Sequence, residues 1–188
     1  MKRVAAALAV AAGTTLATLA TPARAVEREH HLGLDAGAAM LVVHDKSTPD
    51  VGGVAGLHYT YGLNDQFNLL VEATWSLVAL GETLQDPSTP RTRPSNVTSG
   101  GVGLGYVLDV LRWVPWGGVL LGGYALEGGT IDGVKVLPGA AIALGLDYRF
   151  DRSWVAGVSV RQHMLVTDMT DYPSFTQAFA RFEYTWGW

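Results

Sequence analysis

The chain has 188 residues, a formal net charge of -4 and no cysteine. The lack of cysteine excludes a disulfide framework and thiolate chemistry, and an acidic chain is a poor candidate for binding nucleic acid. The mean hydropathy of +0.20 is high for a water-soluble protein. Beyond the N-terminal region, however, no uninterrupted apolar stretch approaches the roughly 18 residues that predict a membrane-spanning helix. A hydrophobic composition without long hydrophobic runs is typical of the alternating strands of a membrane β-barrel.

The N-terminal residues have the form of a secretory signal peptide. Lys2 and Arg3 give a positively charged start, an apolar run follows, and Ala23-Arg24-Ala25 fits the small-x-small cleavage rule. The apolar run is too short to cross a membrane as a helix, although an N-terminal anchor helix is the alternative interpretation. We therefore expect residues 1–25 to be a signal peptide and residues 26–188 to form one mature domain.

Eight segments of the mature chain alternate with a period of two and predict eight β-strands, because successive side chains of a strand point to opposite faces. Apolar and aromatic side chains occupy one face, and glycine, hydroxyl-bearing and charged side chains occupy the other. The predicted strands are residues 29–43, 51–63, 67–80, 97–108, 116–127, 136–150, 154–166 and 175–188.

The connections between these strands alternate between short and long. The short ones lie near residues 64–66, 109–115 and 151–153, and the longer ones lie near residues 44–50, 81–96, 128–135 and 167–173. Short turns at one rim and longer loops at the other are typical of an outer-membrane barrel, in which the short turns face the periplasm. The even strand count then places both ends of the barrel on the periplasmic side.

The final stretch, from Arg181 to Trp188, alternates strictly and ends on an aromatic residue. An exposed terminal strand of this kind would favour aggregation in a soluble protein, whereas in a membrane barrel its aromatic face meets lipid. We expect it to close the barrel by pairing with the first strand around residues 32–40. Aromatic side chains near the short turns also predict an interfacial girdle: Tyr61, Phe67, Trp113, Trp116, Phe150, Trp154, Trp186 and Trp188.

The chemistry of the two faces predicts which one lies inside. A soluble lipocalin-like barrel would place the apolar face inside and the polar face in water. The glycines of the polar face argue against this, because small residues make room for larger polar side chains inside a narrow barrel. The sequence therefore predicts an all-β fold, an eight-stranded antiparallel up-and-down transmembrane β-barrel.

Together with the signal peptide and the alternation, three segments resemble the small eight-stranded outer-membrane barrel superfamily of the OmpA transmembrane domain, OmpX and OmpW. They are Gly101-Val-Gly-Leu-Gly-Tyr106, Leu144-Gly-Leu-Asp-Tyr-Arg-Phe150 and the aromatic terminus. The resemblance implies an outer-membrane location, contact with membrane lipid and lipopolysaccharide, and recognition of the C-terminal strand by the barrel-assembly machinery. It implies no particular activity, because this architecture hosts structural, adhesive, channel and enzymatic members. No peptidoglycan-binding domain follows Trp188, so the cell-wall tether of OmpA is not expected.

Charged and imidazole side chains on the polar face predict a network inside the barrel, because buried charges need partners. The expected members are Asp35, His58, Glu72, Glu127, Asp147, Arg149, Arg161, His163, Arg181 and Glu183. Strand parity suggests that Arg161 or Arg181 pairs with Glu72 or Glu127. Eight strands leave an interior just wide enough for side chains, which favours a polar plug over a solute pathway.

The fifth predicted strand has the least regular pattern. Trp116, Leu120 and Tyr124 indicate one face, but Val119 and Leu121 are apolar on the other. If Val119 and Leu121 point inward, they mark the place where a lateral opening for a small or apolar solute would lie. A non-enzymatic envelope or surface role is therefore the first interpretation, and a narrow conduit, as in OmpW-like proteins, is the alternative.

The sequence predicts no enzymatic activity, metal or cofactor. Lipid A deacylases carry a serine two residues after a histidine on a late strand, whereas His163 is followed by Met164 and Leu165. His58 has Thr60 at the right offset, but on the second strand and without other support. The five histidines show no tight ligand spacing with a carboxylate. A lipid-modifying enzyme therefore remains only a minor alternative, and the oligomeric state is not predicted.

Overall fold

A computed structural model describes residues 28–43, 49–79, 93–108 and 112–187. The predicted signal peptide and Trp188 lie outside these residues. The strands are β1 (His30–Val42), β2 (Asp50–Gly62), β3 (Phe67–Ala79), β4 (Asn96–Val107), β5 (Trp113–Glu127), β6 (Val134–Arg149), β7 (Trp154–Leu165) and β8 (Ser174–Trp186). Within the described residues, no helix is long and apolar enough to cross a membrane.

The strands form a closed antiparallel barrel in sequence order. β8 pairs with β1 from Trp186 opposite His30 to Ser174 opposite Val42, so the sheet has no free edge. This confirms the predicted fold class and the pairing of the last strand with the first. We call the rim with the connections 63–66, 108–112 and 150–153 the short-turn end and the opposite rim the long-loop end.

β5 begins earlier than predicted, at Trp113, because Pro115 belongs to the strand and not to the preceding turn. Pro115 lies opposite Leu146 of β6, and its carbonyl oxygen accepts a hydrogen bond from the Leu108 backbone N–H at 3.0 Å. Proline lacks a donor but keeps its acceptor, so this position near the end of a strand accommodates it.

The outer face of the barrel is apolar along the strands. Leu34 of β1 is 62% exposed, and Leu144 of β6 is 64% exposed. Their neighbours in the sequence, including Asp35 and Ala143, are buried inside the barrel. An apolar surface of this extent is unfavourable in water and suited to contact with lipid.

The faces of β5 differ from one sequence-based expectation. Val119 and Leu121 are 60% and 73% exposed on the outer face, whereas Leu120 is buried inside. Val119 and Leu121 therefore do not line the lumen, and the suggested place for a lateral opening is not lined by their side chains. β5 is apolar on both faces because its inner side packs in apolar parts of the lumen, where Leu120 contacts Ala141 and Ala143.

The predicted aromatic girdle divides into several groups. Phe67, Trp113, Phe150 and Trp154 are exposed around the short-turn end. Tyr61 and Trp186 lie on either side of His30, with ring centroids 4.9 and 5.3 Å from its imidazole. Trp188 lies outside the described residues.

Trp116 does not belong to the girdle, and its assignment to the outer surface was wrong. It shares the inner face of β5 with Leu120 and packs against the small apolar cluster there. Gly145 of β6 makes room for the indole, because a Cβ atom at this position would lie 2.4 Å from Nε1 of Trp116. Proximity to a short turn does not reveal which face of the strand an aromatic residue occupies.

The outer surface makes a testable prediction. Leu144→Arg should destabilise the folded barrel in a lipid bilayer by about 2–4 kcal/mol, the cost of an arginine on the lipid-facing side near the midplane. Leu63→Arg, in an exposed turn at the rim, is the matched control and should cost about 0–1 kcal/mol. Urea unfolding of both variants in liposomes measures the difference, and equal costs would show that Leu144 does not face lipid.

Candidate functional site: the luminal network

The inner face holds nearly all of the polar residues that the sequence indicated. They are Asp35, His58, Glu72, Asp147, Arg149, Arg161, His163, Arg181 and Glu183. Glu127 is the exception, and its assignment to the lumen was wrong. It ends β5 at the long-loop end, on the same outward parity as Val119 and Leu121, and it is partly exposed.

Two further members of the network, Glu29 and His31, were not among the predicted site residues. Arg149 donates from both terminal nitrogens to the Glu29 carboxylate, at 3.2 and 3.0 Å. His31 then joins Glu29 to Glu183, with its ring nitrogens 3.4 and 3.0 Å from carboxylate oxygens. Burial opposes ionisation of Glu29, but hydrogen bonds from His31 and Arg149 outweigh it and hold the pKa of Glu29 below its usual value.

The same chain of contacts continues from Glu183 deeper into the barrel. His58 lies between Glu183 and Asp35, with its ring nitrogens 3.1 and 3.0 Å from their carboxylate oxygens. Arg161 then links Asp35 to Glu72, at 2.9 Å in each case. The pair Arg161–Glu72 is one of the pairings that strand parity suggested. Basic and acidic residues therefore alternate along this series of contacts, from Arg149 to Glu72.

Arg181 connects the chain of contacts to the remaining acid. Its guanidinium lies 2.7 Å from Glu183 and 3.6 Å from both Asp35 and Asp147. The same guanidinium lies over the indole of Trp116, with its central carbon 4.4 Å from the ring centroid. The inward Trp116 thus contributes a cation–π contact to the buried Arg181. We call the residues from Arg149 to Glu72 along this chain, with Arg181 and Asp147, the ion network.

A layer of neutral hydrogen bonds separates the ion network from the long-loop end. The Tyr124 hydroxyl and the Gln177 side-chain oxygen each lie 2.9 Å from a ring nitrogen of His163. The Gln177 amide donates to the hydroxyls of Thr74 and Ser76 at 3.0 Å. These buried groups satisfy one another across β3, β5, β7 and β8, so this layer is held in a single arrangement.

An apolar cluster fills the lumen at the long-loop end. Tyr172, from the loop between β7 and β8, and Ile131, from the loop between β5 and β6, pack against the strand residues. Its other members are Ala39, Leu41, Val43, Val54, Val78, Val97, Tyr124, Leu126, Leu137, Leu165, Phe175 and Phe179. Every strand contributes at least one of these side chains. Hydrophobic side chains from all eight strands therefore pack together inside the barrel at this end.

The short-turn half of the lumen contains a cavity of about 40 Å³. Asn68, Trp116, Asp147 and Arg149 line it, and each has a buried polar atom with no hydrogen-bond partner in the protein. A water molecule needs roughly 10–15 Å³ of such space, so the cavity has room for a few. It is too small for a larger solute.

The described residues show no arrangement typical of a metal or nucleophilic site. Within the described ranges, no group of three or more His, Asp or Glu residues is placed to hold a metal ion. His163 is oriented by Tyr124 and Gln177, and no serine or threonine hydroxyl is paired with either ring nitrogen.

Several solved structures share this fold, although no protein-family model and no curated protein matches the sequence. Neisserial surface protein A is 15% identical, with 85% of this chain and 97% of that chain covered and a TM-score of 0.61. The N-terminal β-barrel domain of Pseudomonas aeruginosa OprF is 11% identical, with 85% and 98% covered and a TM-score of 0.60. Ail, the attachment invasion locus protein of Yersinia pestis, is 12% identical, with 85% and 99% covered and a TM-score of 0.57. The chain thus has the fold of the small eight-stranded outer-membrane barrels.

The pair Arg161–Glu72 allows a direct test of the network. We expect the effects of Arg161→Gln and Glu72→Gln on the free energy of unfolding to be non-additive, because the two side chains form one buried ion pair. The expected coupling energy is about 1.5–3 kcal/mol. The free energy of unfolding of both single variants and the double variant, measured in urea, gives this coupling. The matched pair Lys135–Asp168, which is partly exposed at the long-loop end, should couple by at most about 1 kcal/mol. Additive effects at Arg161 and Glu72 would contradict the pairing.

Proposed function

We propose that this chain is an outer-membrane β-barrel of a Gram-negative bacterium, with a closed lumen and a non-enzymatic role in envelope integrity or surface interaction. The observation that carries the proposal is the apolar cluster at the long-loop end. Side chains from every strand meet there, and Phe175 and Tyr172 are fully buried. A channel for ions or polar solutes needs a continuous hydrated path, which this packing interrupts.

The orientation and partners follow from the same proposal. The short-turn end, which holds both ends of the barrel, faces the periplasm, and the longer connections face outward. The exposed apolar strand faces contact membrane lipid, with lipopolysaccharide in the outer leaflet. Residues 1–25 direct export, and the aromatic C-terminal strand is the segment that the barrel-assembly machinery recognises.

The names of two similar structures support the surface role. Ail is named for attachment and invasion, and Neisserial surface protein A is named as a surface protein. In barrels of this kind the rigid scaffold presents loops that are free to vary, so binding surfaces lie on the loops and not in the lumen. The long-loop end of this chain is the corresponding surface.

A conductance measurement tests the closed lumen. The purified barrel in a planar bilayer should show no discrete conductance steps, because the apolar cluster and the neutral hydrogen-bonded layer block the path in series. A general porin in the same bilayer serves as the positive control. Reproducible steps that scale with ion concentration would contradict the proposal and favour the narrow conduit.

A further inference from the structure

The ion network has an unbalanced set of fixed charges. Its carboxylates are Glu29, Asp35, Glu72, Asp147 and Glu183, and its guanidinium groups are Arg149, Arg161 and Arg181. Arg93 also pairs with Asp50, at the long-loop end and outside this network. The network therefore has two more acids than arginines, and it also contains two histidines, His31 and His58.

Each of these histidines has both ring nitrogens within 3.4 Å of carboxylate oxygens, although only the contact from His31 Nδ1 to Glu183 has hydrogen-bond geometry. In His31, Nδ1 lies 3.0 Å from Glu183 and Nε2 lies 3.4 Å from Glu29. In His58, Nδ1 lies 3.0 Å from Asp35 and Nε2 lies 3.1 Å from Glu183. A neutral imidazole has a donor at one nitrogen and a lone pair at the other. A lone pair close to a carboxylate oxygen is repulsive, whereas a positively charged ring is attracted to the carboxylates on both sides, so these distances favour the doubly protonated ring.

His163 provides an internal contrast. Its Nε2 faces the Gln177 side-chain oxygen, and its Nδ1 faces the Tyr124 hydroxyl, each at 2.9 Å. The amide oxygen accepts a hydrogen bond and the hydroxyl can donate one, so these partners suit a neutral ring with its proton on Nε2. One barrel thus surrounds His163 with neutral partners and surrounds His31 and His58 with carboxylates.

We propose that His31 and His58 form a paired proton-binding site that is filled in the folded barrel at neutral pH. With both rings protonated, the five carboxylates of the ion network are matched by three arginines and two charged histidines. Positive and negative charges then alternate along the series of contacts from Arg149 to Glu72. Glu183 is the shared partner, because its two carboxylate oxygens contact different histidines. The inference rests on contacts inside the barrel and is independent of the proposed cellular role.

The route to this site leads from the short-turn end. The cavity of about 40 Å³ is lined by His31 and Glu183 together with Asn68 and Trp116. Its unpartnered buried polar atoms suit a few bound water molecules, and a proton can pass along such a chain. Toward the long-loop end, the neutral layer and the apolar cluster block the movement of protons. The site therefore exchanges protons with the short-turn side.

Charged side chains from several surrounding strands lie close to His31 and His58. His31 faces Glu29 before β1 and Glu183 of β8, and Asp147 of β6 acts on it across the cavity. His58 faces Asp35 of β1 and Glu183 and Arg181 of β8. The remaining charged groups around His58 are Glu72 of β3, Arg161 of β7 and Asp147 of β6. Loss of both protons leaves two uncompensated negative charges among these groups, so the short-turn half should loosen as the pH rises.

Nitrogen-15 NMR of the histidine rings tests the proposal. The barrel is labelled with ¹⁵N-histidine and measured in lipid nanodiscs at pH 7.5, where a solvent-exposed imidazole of pKa about 6.5 is mostly neutral. We expect the doubly protonated signature at His31 and His58 and a neutral ring with the proton on Nε2 at His163. His31→Gln, His58→Gln and His163→Gln assign the signals, and backbone-to-ring correlations in the unsubstituted protein assign them if a variant fails to fold.

The outcomes are distinct. Doubly protonated rings at His31 and His58, lost together with the short-turn structure on titration to higher pH, support the proposal. A non-protonated nitrogen in either ring of the folded protein at pH 7.5 overturns it. A third doubly protonated ring at His163 would also overturn it, because burial alone, and not the carboxylate pairs, would then be holding protons.

Discussion

The width of an eight-stranded barrel is the constraint on which the other features depend. Eight strands enclose a space that side chains alone can fill, so every large inward residue needs a small one beside it. Gly33 shows this directly, because a Cβ atom there would lie 2.3 Å from the His58 ring. Gly33 and Gly145 on the inner face thus make room for the His58 and Trp116 rings.

The kind of side-chain contact that fills the lumen differs along the barrel axis, so the two ends of the barrel interior are unlike. Ion pairs occupy the short-turn half, neutral hydrogen bonds occupy the middle and apolar side chains pack together at the long-loop end. Buried ion pairs add little net stability, but the loss of one partner is costly. The apolar cluster supplies the favourable burial.

Alternation made most of the fold predictable, because period-two patterning fixes both the strand and its two faces. The errors occurred in β5, where both faces of the strand are apolar. Leu121, Trp116 and Glu127 were misplaced because the alternation of β5 does not reveal which of its faces points inward. Glu29 and His31 share the inward parity of Asp35, a signal that could have included them.

The apolar cluster itself could not be predicted from the strand pattern. Tyr172 and Ile131 reach it from loops, and period-two analysis says nothing about where loop side chains lie. The depth of each inward residue along the axis also depends on strand register, which only the pairing of all eight strands sets. The sequence therefore predicted a polar interior but not its division into layers.

We expect the lumen to be open to water only from the short-turn end, and the absence of cysteine allows a clean test of this expectation. Thr60→Cys places a thiol in the lining of the cavity, whereas Ser76→Cys and Ala39→Cys place it in the neutral layer and the apolar cluster. With the folded barrel in nanodiscs, a small water-soluble thiol reagent should label Thr60→Cys and leave the other two unreacted. Comparable labelling of all three would reveal a continuous aqueous passage and contradict the account.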